Sequence, residues 1–446
     1  MKRGGRMILG LAVLALLVQG VQARELEVFE TTLDNGLKVL LLEEHKAPVV
    51  TFHVWYRVGS RNEQLGRTGL AHLMEHMMFK GTPKIGSQQF SQMVKRNGGR
   101  DNAFTSQDFT GYFVTIAADR IRLPLELEPD RMVNLLLDPE EVQRERSVVM
   151  EERRLRTEDD PTSSLWEEVE AAAFKAHPYR RPVIGWMGDI RQLTRVDLQA
   201  FYRTYYLPNN AVVVVVGDFS RKELLPRVRE AFGTIPRGPE PPPVRSIEPP
   251  QHGERRVVLK RKDAELPFVM AAYHVPNLTD PDSHPLEVLE VLLAGGRSAR
   301  FHRRLVYEKQ LALSAGAHYA RVSADPELFT LYVSPLPGKE VEEVEQALYA
   351  EIERVKTELV SERELQKAKN QIEASFIFSQ DSIFSLARQL ASYEVVAGWR
   401  YWKAYLPGIR AVTREDIRRV AQKYLTAEHR TVGILIPARA VGSSQQ

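Results

Sequence analysis

The chain has 446 residues, of which 43% are hydrophobic and 27% are charged, and it contains no cysteine. This composition is typical of a globular protein of two or three domains, and it excludes disulfides, thiolate metal sites and a lipid-modified amino-terminal cysteine. The formal net charge is only +3, and acidic and basic residues are interspersed, so we expect no nucleic-acid partner.

The amino-terminal segment differs from the rest of the chain. Three basic residues precede an apolar run over residues 7–18, and small residues follow as far as Ala23. This pattern predicts a secretory signal peptide over residues 1–23. A membrane anchor is the alternative, but the run is shorter than the roughly 20 residues that a spanning helix needs. We therefore expect an exported protein, periplasmic or extracellular, with no stable membrane anchor after cleavage.

The first long part of the chain, residues 24–235, begins with strands and continues with helices. The pattern predicts strands over residues 26–33, 37–42, 49–58 and 103–116, a helix over 69–79, amphipathic helices after them, and a final apolar strand over 211–216. Asp34-Asn35-Gly36, between the first two strands, is a strong signal for a hairpin turn.

A proline-rich segment divides the chain. Residues 236–250 contain seven prolines in fifteen positions, which predicts a stiff, extended linker. The part that follows, residues 251–446, repeats the earlier order of strands, helix, strand, long helices and late strand. We therefore predict an α+β fold of two homologous domains, each a mainly antiparallel sheet packed with helices. The alternative is that two common patterns coincide by chance.

The motif His72-Leu73-Met74-Glu75-His76 lies in an apolar stretch typical of a helix. Four positions along a helix place both imidazoles on one face, where they can bind one zinc ion at about 2.0–2.1 Å each. Glu75 can overhang the metal without binding it, as a base for the attacking water would. This is the inverzincin order of residues. The alternative is a helix with two solvated histidines, because a catalytic zinc also needs a third protein ligand.

A long, charged helix is predicted downstream, over residues 139–158. Pro139 suits its first turn. Glu145 and Glu152 are seven positions apart and therefore lie on the same side of the helix. Most carboxylates on such a helix are solvated, so this pattern alone does not select the third zinc ligand.

Taken together, these motifs resemble those of the pitrilysin/insulin-degrading enzyme family of inverzincin metallopeptidases, especially its short, processing-peptidase-like subunits. Further similar motifs are Phe79-Lys80-Gly81-Thr82, Gly98-Gly99, Asn102-Ala103-Phe104-Thr105, Asp108, Thr110, Tyr112, His177-Pro178-Tyr179 and Tyr206-Leu207-Pro208-Asn209-Asn210. The resemblance covers essentially the whole chain after residue 23. It implies a zinc endopeptidase with one Zn²⁺ per chain.

The resemblance also implies roles for individual residues. His72, His76 and Glu152 would bind the zinc, Glu75 would be the general base, and Glu145 would be a catalytic-site residue that supports the ligands. The strand that begins with Asn102, Ala103, Phe104 and Thr105 would be a sheet edge to which an extended peptide adds as a further strand. From the pattern alone, a plain core strand is the alternative.

Two catalytic positions of the family are changed. Competent members supply an arginine and a tyrosine, seven residues apart, to stabilise the oxyanion of the transition state. The matching positions here are Val306 and Leu313, neither of which can donate a hydrogen bond. The resemblance thus implies a heterodimer in which each chain forms half of a clamshell and a homologous short partner supplies the missing pair.

Two alternatives follow from this difference. If Arg303, Arg304, Tyr307 or Tyr319 substitutes for the missing pair, we expect a self-sufficient homodimer instead. The chain could also be a non-proteolytic structural or assembly subunit with the same fold. The presence of Glu75 argues against that function, because a scaffold does not need a general base.

Overall fold

The structure, a computed structural model, describes residues 26–438 of the chain. The predicted signal peptide, residues 1–23, lies outside the described residues. No helix between residues 26 and 438 combines the length and the apolar character that crossing a membrane requires.

The first sheet contains six strands and is built mainly from antiparallel pairs. The strands are β1 (Phe29–Thr32), β2 (Lys38–Glu43), β3 (Val49–Tyr56), β4 (Arg100–Thr105), β5 (Thr110–Ala117) and β6 (Ala211–Gly217). Their order is β1-β2-β6-β3-β5-β4, and the pair of β2 with β6 is parallel. In the described part of the chain, β4 pairs only with β5, so β4 forms one edge of this sheet.

Two turns explain the ends of these strands. The predicted turn after β1 is present, and Gly36 in it has a φ of 89°, a conformation that glycine adopts without strain. The single strand predicted over residues 103–116 is wrong, because the chain turns back between β4 and β5. The hydroxyl of Ser106 accepts hydrogen bonds from the backbone N–H groups of Asp108 and Phe109, which stabilises this turn.

The helices of the first half alternate with its strands: one group lies between β3 and β4, a longer group lies between β5 and β6, and one helix follows β6. They are α1 (Leu70–Met77), α2 (Gln89–Arg96), α3 (Arg122–Val133), α4 (Pro139–Arg153), α5 (Pro161–Ala173), α6 (Met187–Gln192), α7 (Arg195–Tyr205) and α8 (Arg221–Gly233). Helix α4 begins at the expected proline, and the Asp138 carboxylate accepts hydrogen bonds from the N–H groups of Glu140 and Glu141. This is a common N-terminal cap.

The second sheet repeats the plan of the first. Its strands are β7 (Arg255–Arg261), β8 (Phe268–Val275), β9 (Ala312–Tyr319), β10 (Glu327–Pro335) and β11 (Arg430–Pro437). Their order, β7-β11-β8-β10-β9, matches β2-β6-β3-β5-β4, and the first pair is again parallel. The α+β fold with two similar, mainly antiparallel sheets is therefore confirmed.

The helices of the second half are longer on average. They are α9 (Ser283–Ala294), α10 (Val341–Thr357), α11 (Glu362–Ser379), α12 (Ile383–Val396), α13 (Arg400–Ala411) and α14 (Arg414–Tyr424). Residues 236–250, the predicted linker, form neither helix nor strand. The exact domain boundaries remain a prediction.

The two halves exchange helices across their interface. Helix α12 of the second half packs its buried leucines, Leu386 and Leu390, against the first sheet. Helix α5 of the first half packs Leu165 and Val169 against the second sheet. Each sheet is thus covered on one face by a helix from the other half, and this exchange joins the two units through apolar contacts.

Candidate metal centre

Helix α1 carries the predicted metal motif, and its sequence explains which side faces the sheet. Its apolar side chains Leu73, Met74 and Met77 are fully buried against the sheet. His72, Glu75 and His76 occupy the opposite side and are only half-buried. A helix with this periodicity therefore directs all three polar side chains toward one region.

The beginning of α1 is held by a buried carboxylate. Glu63 accepts hydrogen bonds from the backbone N–H groups of Gly69, at 2.9 Å, and Ala71, at 2.8 Å. These groups have no partner inside the helix, and a carboxylate is well placed at this positive end. The pattern did not identify Glu63, although an acidic residue shortly before a helix is a usual capping signal.

Helix α4 brings a third side chain to the two histidines. The Nε2 atoms of His72 and His76 lie 3.7 and 3.5 Å from the same carboxylate oxygen, Oε2 of Glu152. One ligand atom from each of the three residues lies within 4.8 Å of the others. The structure therefore brings together two local residues and one from 76 positions further along the chain.

These separations fit a shared zinc ion better than direct hydrogen bonds. They exceed the usual N–H···O distance of about 3.2 Å. Ligands that bind a tetrahedral zinc at about 2.0–2.2 Å are separated from each other by roughly 3.3–3.6 Å. In the part of the chain that the structure describes, no other set of three histidine, aspartate or glutamate side chains has ligand atoms that all lie within 4.8 Å of one another.

Glu145 lies behind His76 and fixes its orientation. Nδ1 of His76 is 3.0 Å from Oε2 of Glu145, and Nζ of Lys80 is 2.5 Å from the other carboxylate oxygen. A carboxylate that accepts the Nδ1 proton leaves Nε2 free to bind a metal. Sequence reasoning missed Lys80, although it follows His76 by four positions and belongs to a motif already singled out.

The local charges favour a cation at this place. Burial, together with the charges of His76 and Arg156, lowers the pKa of His72 to about 3, so His72 is neutral. Burial also lowers the pKa of His76, but the Glu145 hydrogen bond and three nearby carboxylates raise it above its usual value. A neutral imidazole is the form that binds zinc, and the surrounding carboxylates attract a positive charge.

Glu75 lies on the same side of α1 as His72 and His76, and Thr105 of β4 orients it. The Thr105 hydroxyl donates a hydrogen bond of 2.6 Å to Oε2 of Glu75. Burial raises the pKa of Glu75, and the Thr105 hydrogen bond opposes that increase. A carboxylate with a raised pKa is better matched to proton transfer near neutral pH. Thr105, predicted to bind substrate, thus has a contact within the site.

The other three residues of the predicted peptide-binding strand have different surroundings. Asn102 is exposed, and its side-chain oxygen accepts a hydrogen bond from the N–H group of Ala103. Phe104 contacts the ring of Trp55 on the opposite face of the sheet, since side chains alternate along a strand. The side chain of Phe104 therefore lies on the face of the sheet opposite Thr105.

The positions of the missing arginine and tyrosine lie in the second half. Val306 belongs to a π-helical turn over residues 302–308, and Leu313 lies on β9 with 44% of its surface exposed. The nearby arginines have other partners: Arg303 lies 3.5 Å from Glu308, and Arg304 lies 3.2 Å from Glu351.

The two tyrosines near these positions differ in exposure. The Tyr319 hydroxyl donates a hydrogen bond to the carbonyl of Pro276. Tyr307 is 77% exposed. Among the described residues, none of the four candidate substitutes forms a hydrogen bond or ion pair with a residue of the metal centre.

Known proteins resemble this chain over most of its length. Residues 38–186 match the family model "Insulinase (Peptidase family M16)", and residues 192–372 match "Peptidase M16 inactive domain". The chain is 34% identical to the zinc protease PqqE of Helicobacter pylori over 91% of this chain and 92% of that protein. The chain therefore belongs to peptidase family M16, which includes the pitrilysin-like enzymes.

Two further proteins are similar to this chain. A crystal structure of a protease from Helicobacter pylori superposes with a TM-score of 0.89 at 33% identity, covering 93% of this chain and all of that one. A relative from Arabidopsis thaliana is 26% identical over 89% of this chain and 76% of that protein, and it is named as a probable mitochondrial-processing peptidase subunit beta.

Proposed function

We propose that this chain is a zinc-dependent endopeptidase subunit that hydrolyses extended or unfolded peptides in a closed chamber. The observation that carries the proposal is the convergence of His72, His76 and Glu152 within ligand distance of each other, with Glu75 beside them. The name of the Helicobacter pylori relative supports zinc as the metal. Export from the cytoplasm rests on the pattern of residues 1–23.

The metal ligands and the base have separate tasks. His72, His76 and Glu152 would hold the zinc ion, which supplies a Lewis acid that polarises a peptide carbonyl and makes water easier to deprotonate. Glu75 takes the proton from the attacking water and later gives it to the leaving amine. Because Thr105 donates to Oε2 of Glu75, the proton is carried by Oε1.

The edge of the first sheet offers a place for the substrate. Strand β4 is paired on one side only, and its last residue, Thr105, contacts Glu75. A peptide that adds to this edge would form main-chain hydrogen bonds and bring its backbone close to the base. Such binding selects extended segments over folded ones, because the peptide must present a free strand.

The absence of oxyanion donors at Val306 and Leu313 supports a second subunit. Both side chains are apolar, and three of the four polar candidates near them already have partners. A homologous short chain with an arginine and a tyrosine at these positions would complete the site in a heterodimer. A homodimer, or a structural subunit without proteolytic activity, are the alternatives.

Replacing the base tests the mechanism. We expect Glu75→Gln to retain one zinc ion per chain and to lower peptide cleavage by about 10²- to 10⁴-fold, since the amide cannot accept the proton. Metal content and cleavage of an unstructured peptide should be measured in the heterodimer of this chain with the homologous chain that supplies the arginine and tyrosine. Glu151→Gln, on the exposed side of α4, is the matched control. Undiminished cleavage by Glu75→Gln would remove Glu75 from the reaction.

The hydrogen bond from Thr105 predicts a change in pH dependence. The bond favours the ionised form of Glu75, so Thr105→Val should raise the pKa of that carboxyl. The acidic limb of the pH profile of kcat/KM then moves to higher pH, and kcat/KM on this limb falls by about 10-fold. Thr105→Ser keeps the hydroxyl and should resemble the wild type. An acidic limb that stays in place in Thr105→Val contradicts this role.

The requirement for a partner can be tested with purified proteins. We expect the chain alone to bind zinc but to cleave an unstructured peptide slowly, because the transition-state oxyanion lacks donors, a loss of about 10²- to 10³-fold. Addition of a homologous chain that carries the arginine and tyrosine should restore turnover. Full activity of the single chain, unchanged by such an addition, would favour the homodimer.

A further inference from the structure

One short segment contacts the ends of both helices that carry the metal ligands. This segment, residues 182–189, runs into helix α6 and is called the brace segment here. It follows the third ligand by about thirty positions and contains none of the residues assigned to the reaction. Different residues make its contacts with α1 and with α4.

The first contact is with the beginning of α1. Gly185 and Gly69 lie back to back, and a Cβ atom at Gly185 would be 2.5 Å from the Cα atom of Gly69. The carboxylate of Asp189 accepts hydrogen bonds from the hydroxyl and the N–H group of Thr68, at 2.7 and 3.1 Å. The Thr68 hydroxyl accepts a further bond from the N–H group of Trp186. The two segments can therefore approach this closely only without side chains at the two glycines.

The second contact is with the end of α4. Arg153 directly follows the ligand Glu152 and is 4% exposed. Its guanidinium donates a hydrogen bond of 2.8 Å to the carbonyl of Gly185, and two bonds of 2.8 Å to the carboxylate of Glu167 on α5. It also lies over the ring of Trp186, 5.6 Å from the ring centre. A planar guanidinium with this many fixed partners restricts the last turn of α4.

We propose that the brace segment, held by Arg153, sets the separation between α1 and α4 and so maintains the distance between the histidines and Glu152. Arg153 and Gly185 are then positioning residues for the metal centre. The inference rests on the zinc site proposed above. Zinc ligands have to lie within about 0.2 Å of their ideal distances, so a small shift of either helix end weakens binding.

A purely structural role for Arg153 makes a different prediction. Loss of buried hydrogen bonds would lower the stability of the metal-free protein and leave the affinity for zinc almost unchanged. Arg146 provides the control, because it lies two turns earlier on the same helix and also donates to a backbone carbonyl, that of Leu193, at 2.9 Å. Zinc affinity and metal-free stability must therefore be measured in the same variants.

The experiment compares Arg153→Met, Gly185→Ala and Arg146→Met in the full chain. Zinc dissociation constants are measured by competition with a chromophoric chelator, and the stability of the metal-free protein by urea unfolding. We expect Arg153→Met and Gly185→Ala to weaken zinc binding by about 10- to 100-fold, as loss of supporting contacts does at other metal sites. Arg146→Met, which removes one hydrogen bond made by a half-buried side chain, should bind zinc within about 3-fold of the wild type.

The outcomes separate the two proposals. If Arg153→Met binds zinc no more weakly than Arg146→Met does, the proposed role of the brace segment is overturned, while the zinc site itself remains in place. Failure of the wild type to bind zinc would instead overturn the proposed function. If Arg153→Met does not fold, Gly185→Ala decides, because this variant keeps the Arg153 pair with Glu167. A folded Gly185→Ala that binds zinc like the wild type also overturns the proposal.

Discussion

The convergence of three side chains from two helices is the constraint on which the site depends. His72 and His76 come from α1, and Glu152 comes from α4, yet one carboxylate oxygen lies 3.5–3.7 Å from both imidazoles. At this distance the groups gain no good hydrogen bond from each other, although they have been partly removed from water. A cation between them would offset the free-energy cost of removing these polar groups from water, and the proposed zinc ion has the charge and ligand preference to do so.

The fold supplies this convergence by packing the helices on one face of the first sheet. Buried apolar residues anchor α1 against the sheet, and Glu63 holds its beginning. Strand β4, at the sheet edge, places Thr105 beside Glu75. The second half has a similar sheet without the metal motif, and the exchanged helices pack the two halves against each other. The described part of the chain thus contains one candidate metal centre and two similar sheets.

Local signals made much of this predictable from the sequence. The spacing of His72, Glu75 and His76 fixes their common face on any helix. Asp34-Asn35-Gly36 is a local turn signal, although Asn35 also donates hydrogen bonds to the carbonyls of Phe232 and Ile235. The choice of Glu152 over other carboxylates was different, because it depends on how α4 crosses α1. That information is tertiary, and only the family resemblance supplied it.

Other features could not be predicted for identifiable reasons. Strand β9 was missed because its alanines, serine and glycine have low strand propensity and its pairing with β10 holds it in place. The break at Ser106 depends on hydrogen bonds from a side chain to the backbone, which hydrophobic alternation does not show. The packing of α12 against the sheet of the other half is a tertiary contact that nothing in its own sequence indicates.

The most direct test of the central claim is anomalous X-ray diffraction at the zinc absorption edge, on crystals of the chain purified with zinc. The account predicts one anomalous peak per chain, about 2.0–2.2 Å from Nε2 of His72, Nε2 of His76 and Oε2 of Glu152. A peak bound by other residues, or the absence of a peak between these three side chains in zinc-saturated protein, would contradict it.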